Sequence, residues 1–501
     1  MQFLFTIAMM LCLVVTGAFA HAEESLREEQ LTIYRSHLHQ SPLSRQTRVP
    51  EGTVIRMTVD DCIHYALRSN RKIMSTDYAI AAAEAQERES HALGKPVVDY
   101  EYGTAPAPRD ATRAIQTFFT GDWVWANRVK LGMGIPLTTF GKLTTASELA
   151  QSGIAASRER RASEQVQVVS KIRQLYYGIQ MAEEVRSLLL NAIDRLSDEI
   201  KTAESQDTDI DGKTSEKYSP IDKLRMQVFR ADLEKRLTDV QVKEEVALNA
   251  LKIQMGLPMT ANFAPTGALA PVSVKMDTYD AYISRLRADR PESHLVDLGV
   301  EAKRLEHQLS KRQLRPDVGF GAFLEAGRTL PSVQNQGTND QFINPFNFTR
   351  AGVGFKLSGR LDINSAIARI NRTESEFYKV SLERDMAKEG LELEVKEAYL
   401  RVKQSEEQLK RTEETKKLAR QMVFLSKSNL DLGIGEKSEY VDALQVMLLS
   451  RSQYLESVFN YNSAVAQLDE KVGYVPYGLD DRERVPLQLP KKAPASVKES
   501  E

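Results

Sequence analysis

Cysteine is nearly absent. The chain of 501 residues holds two, Cys12 and Cys62. Cys12 lies inside the one long apolar run, Phe3 to Ala20, which ends in the small-x-small pattern Ala18-Phe19-Ala20. The run reads as a secretory signal peptide, and Cys12 lacks the Leu-Ala-Gly-Cys context of a lipoprotein. Once it is cleaved, only Cys62 remains, so no intrachain disulfide can form, and Cys62 reads as a small packing residue rather than a nucleophile. Average hydrophobicity is low with no second long apolar run, which excludes a bundle of membrane-spanning helices. Charge of one sign is missing too. Against 67 Lys and Arg stand 69 Asp and Glu, a net charge of -2, and no basic excess points to nucleic acid. No Ser/His/Asp or Cys/His set and no phosphate-binding glycine loop is recognisable, so the chain does not read as an enzyme. Pairs such as Glu406-Glu407 and Glu413-Glu414 read as solvated helix faces. His37 and His39 make too small a set to hold a metal.

What the chain does have is a very long polar helix, from about Asp362 to Asn429. Ile363, Ile367 and Ile370 open an apolar stripe that returns in Val395, Tyr399 and Val402, and again in Leu418, Met422 and Leu425. No proline interrupts it, and Gly390 is its only interior glycine. At about 1.5 Å per residue it spans roughly 100 Å. A compact globule has no use for such an element, whereas a coiled-coil spacer or the wall of a tube does. Residues 351–357 before it alternate like a strand. After it, Leu432-Gly433-Ile434-Gly435 reads as a turn, and a second helix returns from about Ser438 to Val472.

The same order precedes it. Residues 21–50 form a polar linker. One helix is expected from Met57 past Asn70 to about Leu93, ended by Gly94 and Pro96. Strands follow at Val97–Gly103 and Arg128–Ile135, and Gly141 leads into a helix running to about Ala203. An acidic loop, Asp207 to Glu216, turns the chain back. Ser219-Pro220 caps and starts the next helix, with Ile221, Leu224, Val228 and Ala231 on one face, up to Gly256. A helix from about Tyr279, strands at Asp317–Phe323 and 351–357, and the long helix repeat the series. Pro96 falls on Pro316, Gly134 on Gly354, Tyr176 on Tyr399 and Gly256 on Gly473, at an offset of about 220 residues. The organisation is therefore a signal peptide (1–20), a linker (21–50), a first repeat (51–275), a second repeat (276–473) and a Pro/Lys-rich tail (474–501).

Each half offers two strands whose alternation suits a membrane barrel. Four cannot close one, and an open edge is not tolerated in lipid. Either they form a small soluble sheet, as in a periplasmic coiled-coil scaffold or adaptor, or several chains share a barrel. The narrow helix stripes, which side-by-side packing between protomers would bury, favour sharing.

Residues 55–473 resemble the TolC-like outer-membrane efflux protein family. The resemblance is carried by Gly433–Gln445, Tyr454-Leu455, Asn460–Asn462, Ala398-Tyr399, the 464–473 stretch and the corner Gly134–Gly141. It implies a fold that is mainly α with a membrane β-barrel. Tandem-duplicated strand–long helix–helix units would form, in a homotrimer, a shared 12-stranded barrel and a 12-helix periplasmic tunnel. It also implies an outer-membrane channel of a tripartite efflux or type I secretion system. The partners would be outer-membrane lipid, a periplasmic adaptor and an inner-membrane pump of the resistance-nodulation-division or ABC class, with no cofactor. Lys356 stands in the second corner where Pro136 stands in the first, so the two bends are expected to differ.

Three groups of candidate residues follow. Phe118, Phe119, Trp123, Trp125, Phe342, Phe346 and Phe348 are expected at the membrane interface, where amphipathic aromatics are favoured. Gly433, Ile434 and Gly435 are the candidate adaptor-docking tip. Asp442, with Asp207, Asp209 and Asp211, is the candidate pore constriction. Asp207–Gly212 begins like a calcium loop, but Tyr218 stands where the bidentate Glu belongs, so a solvated tip is expected and no metal.

Overall fold

The computed structural model describes residues 54–108, 119–121, 123–205, 220–330, 347–359, 362–432 and 434–474. The expected signal peptide and linker, the acidic loop with Asp207, Asp209 and Asp211, Phe118, Phe342, Phe346, Gly433 and residues 475–501 lie outside these ranges. In chain order the elements are β1 (Ile55–Met57), α1 (Val59–Ser69), α2 (Arg71–Ala92), β2 (Val97–Pro108), β3 (Trp123–Thr138), α3 (Lys142–Ser205) and α4 (Pro220–Met255). They continue with β4 (Phe263–Pro265), α5 (Tyr279–Asp289), α6 (Pro291–Arg312), β5 (Asp317–Leu330), β6 (Phe348–Ser358), α7 (Ile363–Asp431) and α8 (Lys437–Val472).

The chain divides into two compact units, each assembled from three segments. One comprises residues up to Arg71, Lys171–Pro271 and Arg411–Phe459; the other comprises Lys72–Ser170, Val272–Lys410 and residues from Asn460.

In the first unit, Thr58 caps α1, in a capping box with Asp61. The single helix expected across Asn70 is in fact two. Asn70 is extended (ψ 124°), and its side chain donates to the Gln254 carbonyl at 2.7 Å while Ser69 Oγ donates to that of Met255 at 2.7 Å. These last carbonyls of α4 have no partner within their own helix, and the break in α1–α2 supplies donors to them. Gly256 follows at φ +75°, closing α4 by paired bonds, Gly256 N–H to Ile253 and Leu257 N–H to Lys252. A Cβ there would lie 2.4 Å from the Ser69 carbonyl. Cys62 is wholly buried, and burial, followed by the nearby Asp61 charge, pushes its thiol up to about 12. Tyr176 ties the parallel β1–β4 pair to α3: its hydroxyl donates to the Met57 or Thr266 carbonyl and accepts from the Thr266 amide at 3.0 Å.

An apolar cluster of this unit joins Leu188, Leu189, Leu196 and Ile200 of α3, Met226 and Leu233 of α4, and Leu448 and Leu455 of α8. The face of α4 that packs is therefore Met226, Phe229, Leu233 and Leu237. The face read from the sequence, Ile221, Leu224, Val228 and Ala231, is exposed. Helix α4 carries two apolar stripes, and periodicity alone cannot tell which one meets its own chain.

The second unit repeats the hinge. Helices α5 and α6 have 11 and 22 residues, as α1 and α2 do. Arg290 occupies the break and Pro291 starts α6, where its missing N–H costs nothing. Gly473, at φ +82°, ends α8 with the same paired bonds, and a Cβ there would lie 2.8 Å from Arg290 Cα. The Arg290 side chain is buried between Glu292 (3.3 Å) and Glu394 (2.7 Å), and Lys471 also reaches Glu394. The core here is Tyr282 and Leu286 of α5, Val395, Ala398 and Val402 of α7, and Tyr461, Ala464, Val465, Leu468 and Val472 of α8. Of the stripe on α7, then, Val395 and Val402 are buried, whereas Ile363, Ile367, Leu418, Met422 and Leu425 are exposed.

The same unit holds a four-stranded antiparallel sheet in the order β2-β3-β5-β6. Its strands run longer than the sequence suggests, because alternation continues past Gly103 and Phe323. The two corners differ as Lys356 against Pro136 leads one to expect. The β3–β5 register shifts between Pro136 and Thr138, and the β5–β6 register runs through Lys356 without a break. Pro136 has no N–H to give a ladder.

Candidate functional site

Side chains alternate across a strand, so the register assigns every residue of the sheet to a face. One face carries, row by row, Tyr100, Leu131, Leu324 and Ala351; Val98, Met133, Ala322 and Val353; then Ile135, Phe320 and Phe355. It is apolar on all four strands. Among the described residues nothing covers it: Phe355 is 78% exposed, and Tyr100, Tyr102, Val353 and Leu357 are exposed as well. Phe320 and Phe355 meet edge to face, 5.6 Å between centroids.

The opposite face is glycine and charge. Its rows are Glu101, Lys130, Glu325 and Arg350; Asp99, Gly132, Phe323 and Gly352; and Val97, Gly134, Gly321 and Gly354. Arg128 is ion-paired with Glu325. Gly352 leaves room for the Phe323 ring, which a Cβ would meet at 2.8 Å. Lys142, at the start of α3, holds Asp317 at 2.9 Å at the helix end of the sheet. There Phe140 and Gly141 both have positive φ, and the Arg312 guanidinium donates to the Gly141 carbonyl at 2.9 Å.

Trp123 and Trp125 lie at the loop end of β3, opposite Pro108 and Pro106, on the apolar face. Phe348 lies at the same end, opposite Gly327, but alternation puts it on the charged face, where the Arg350 guanidinium sits 4.6 Å over its ring. Between Val129 and Trp125 this apolar face has one polar row, Thr104, Asn127 and Arg328: Tyr102 donates to Asn127 at 2.9 Å, and Arg328 holds the Phe348 carbonyl and Thr349.

The candidate tip is the turn between α7 and α8. The Ile434 and Gly435 amides both donate to the Asn429 carbonyl, at 3.0 and 3.2 Å. A Cβ on Gly435 would be 3.0 Å from that of Asn429, so a larger residue crowds the turn. Ile434 is 76% exposed. Asp442 lies in the second turn of α8 and lines an open groove with Leu418, Gln421, Met422, Leu425, Ser426, Asn429 and Glu439. Asp207, Asp209 and Asp211, grouped with it on sequence grounds, are outside the described residues, as are Phe346 and Gly433.

Sequence reasoning missed the charged row Glu101–Lys130–Glu325–Arg350. The alternation of Arg128 and Lys130 was visible, but which charges stand side by side depends on strand register. Among the described residues no helix is long and apolar enough to cross a membrane.

Residues 62–206 match the family model described as outer membrane efflux protein. No curated protein matches the chain. Solved structures do. The outer-membrane channel OprN is 15% identical with a TM-score of 0.68, covering 83% of this chain and 90% of its own. The outer membrane protein VceC of Vibrio cholerae is 13% identical with a TM-score of 0.66, covering 83% and 96%. The CmeC outer membrane channel of Campylobacter jejuni is 14% identical with a TM-score of 0.67, covering 83% and 85%. Residues 62–206 are thus similar to the outer membrane efflux proteins, and over most of its length the chain shares the fold of these solved channels.

Proposed function

We propose that the protein is the outer-membrane channel of a tripartite efflux or type I secretion system, working with a periplasmic adaptor and an inner-membrane pump of the resistance-nodulation-division or ABC class. The observation that carries this reading is the two-faced sheet. A face apolar on four neighbouring strands and bare among the described residues is the wall a barrel turns to lipid, and a glycine-and-charge face is the wall it turns to water. The outer strands β2 and β6 leave hydrogen-bonding edges that lipid does not tolerate. Three copies of four strands supply a closed 12-stranded barrel, which makes the homotrimer the working unit. The exposed ends of the α7 stripe and the second stripe of α4 then meet neighbouring copies in a 12-helix tunnel that lies in the periplasm. A periplasmic scaffold would leave the apolar face without a partner.

In this reading the two halves are repeats of one ancestral unit, residues 51–275 and 276–473. Trp123 and Trp125 belong to the interfacial girdle, and Phe346 and Phe348 to the mouth beside it. The turn at Gly433, Ile434 and Gly435 presents one bare apolar side chain to the adaptor. Asp442, with Asp207, Asp209 and Asp211, lines the periplasmic mouth, where threefold repetition concentrates negative charge and attracts cations.

The test is thiol labelling in intact outer membranes. Phe355→Cys is expected to react with a lipophilic maleimide and not with a charged one, Lys356→Cys with the charged one, and the solubilised protein to sediment as a trimer. Free reaction of Phe355→Cys with the charged reagent, or a stable helical monomer, overturns the proposal.

A further inference from the structure

The charged face of the sheet contains one row in which all four strands contribute a charge and the sign alternates: Glu101, Lys130, Glu325, Arg350. Side chains directly opposite on antiparallel strands stand about 5 Å apart, and opposite charges there attract. Glu325 is the exceptional member. It is only 9% exposed, and three cations surround it: Arg128 in an ion pair, with Lys130 and Arg350 opposite on either side. Without it, the middle of the face would hold Arg128, Lys130 and Arg350 against Glu101 alone. In a lumen walled by protein such an excess is focused rather than dispersed, and it acts on whatever passes.

We propose that Glu325 sets the charge preference of the barrel lumen, keeping a face rich in arginine and lysine near neutrality so that solutes of either sign can pass. This rests on the channel reading, because only in a barrel does that face line water. Asp99 and Lys356 lie in other rows of the face, each opposite residues without charge or at the helix end, so they do not replace Glu325.

The test is the reversal potential of the purified protein in planar bilayers under a potassium chloride gradient, at ionic strength of about 0.1 M or below so that screening does not hide the effect. Glu325→Gln is expected to raise the chloride-to-potassium permeability ratio by about twofold or more. Adding Arg128→Gln to it should bring the ratio back towards that of the native channel. A second arm needs no refolding around an altered Glu325. Lys130→Cys is labelled in channels that already conduct, and the buried Cys62 stays silent. An anionic thiol reagent should lower the ratio and a cationic one restore it. A native protein that gives no conductance refutes the channel reading and this inference with it. A conducting channel whose ratio neither Glu325→Gln nor the Lys130→Cys labels move refutes this inference alone.

Discussion

At the residue scale the chain relies on a few buried polar groups where elements end. Arg290 serves one such junction, holding Glu292 and Glu394 beside the Gly473 turn. Burial by itself would raise the Glu394 pKa, but the Arg290 hydrogen bond and the charges of Arg290 and Lys471 outweigh it and hold it below the ordinary carboxylate range. A carboxylate whose folded pKa is lowered stabilises the fold at pH values above its unfolded pKa. That contribution is lost as the pH falls through the lowered folded value. Replacing Arg290 by Met removes the larger of the two causes and leaves Lys471, so the variant should lose most of this part of its acid sensitivity. At neutral pH it should be destabilised by about 1–3 kcal/mol, less than for a wholly buried pair because solvent screens the half-exposed Glu394. Thermal unfolding of both proteins between pH 7 and pH 3 checks this: native and variant curves should converge towards acid pH, and curves that stay parallel refute it. Sequence reasoning could not single out Arg290, which has the composition of an ordinary surface arginine until Glu394, about a hundred residues away, is brought against it.

At the scale of elements, the turns and helix lengths were largely legible. The long helix read as Asp362 to Asn429 is Ile363–Asp431, because an uninterrupted 3.6-residue rhythm without proline has few alternatives. The break at Asn70 was not legible. Nothing local forbids a helix there, and the break is fixed by donors reaching the end of a helix that lies far away in sequence. The α7–α8 turn carries a prediction of its own. Ile434 is bare and makes no demand on the backbone, while its amide, with that of Gly435, holds the turn. Ile434→Asp should therefore leave folding, membrane level and bilayer conductance unchanged and reduce export in cells about tenfold or more, by removing the apolar contact a partner helix would cover. Unimpaired export by Ile434→Asp would place docking elsewhere.

At the scale of the whole molecule, the two faces of the sheet make opposite demands. Phe355→Arg puts a charge on the apolar face, which costs roughly 2–4 kcal/mol near the middle of a bilayer. It should cut the amount of assembled, heat-resistant protein in the outer membrane severalfold. Its neighbour Lys356 lies on the other face, and Lys356→Gln should assemble normally. Equal yields from the two variants would contradict the barrel. The aromatic-rich strand ends point to this face from the sequence alone, yet they group Phe348 with the tryptophans, and alternation along β6 sets it on the charged side.

The sequence by itself determined what is local and periodic: very long helices, glycine-marked turns, strands of period two and a repeated order of elements. These follow from backbone geometry and hydrophobic rhythm, which neighbouring residues dictate. The tertiary structure alone decided what depends on partners distant along the chain. It chose the Met226–Leu237 stripe of α4 for packing, left the ends of the α7 stripe bare, broke the first helix at Asn70, and aligned Glu101, Lys130, Glu325 and Arg350 in one row. A stripe or a charge is the same in sequence whether it meets its own chain or is left bare, and only strand register and helix contact distinguish the two.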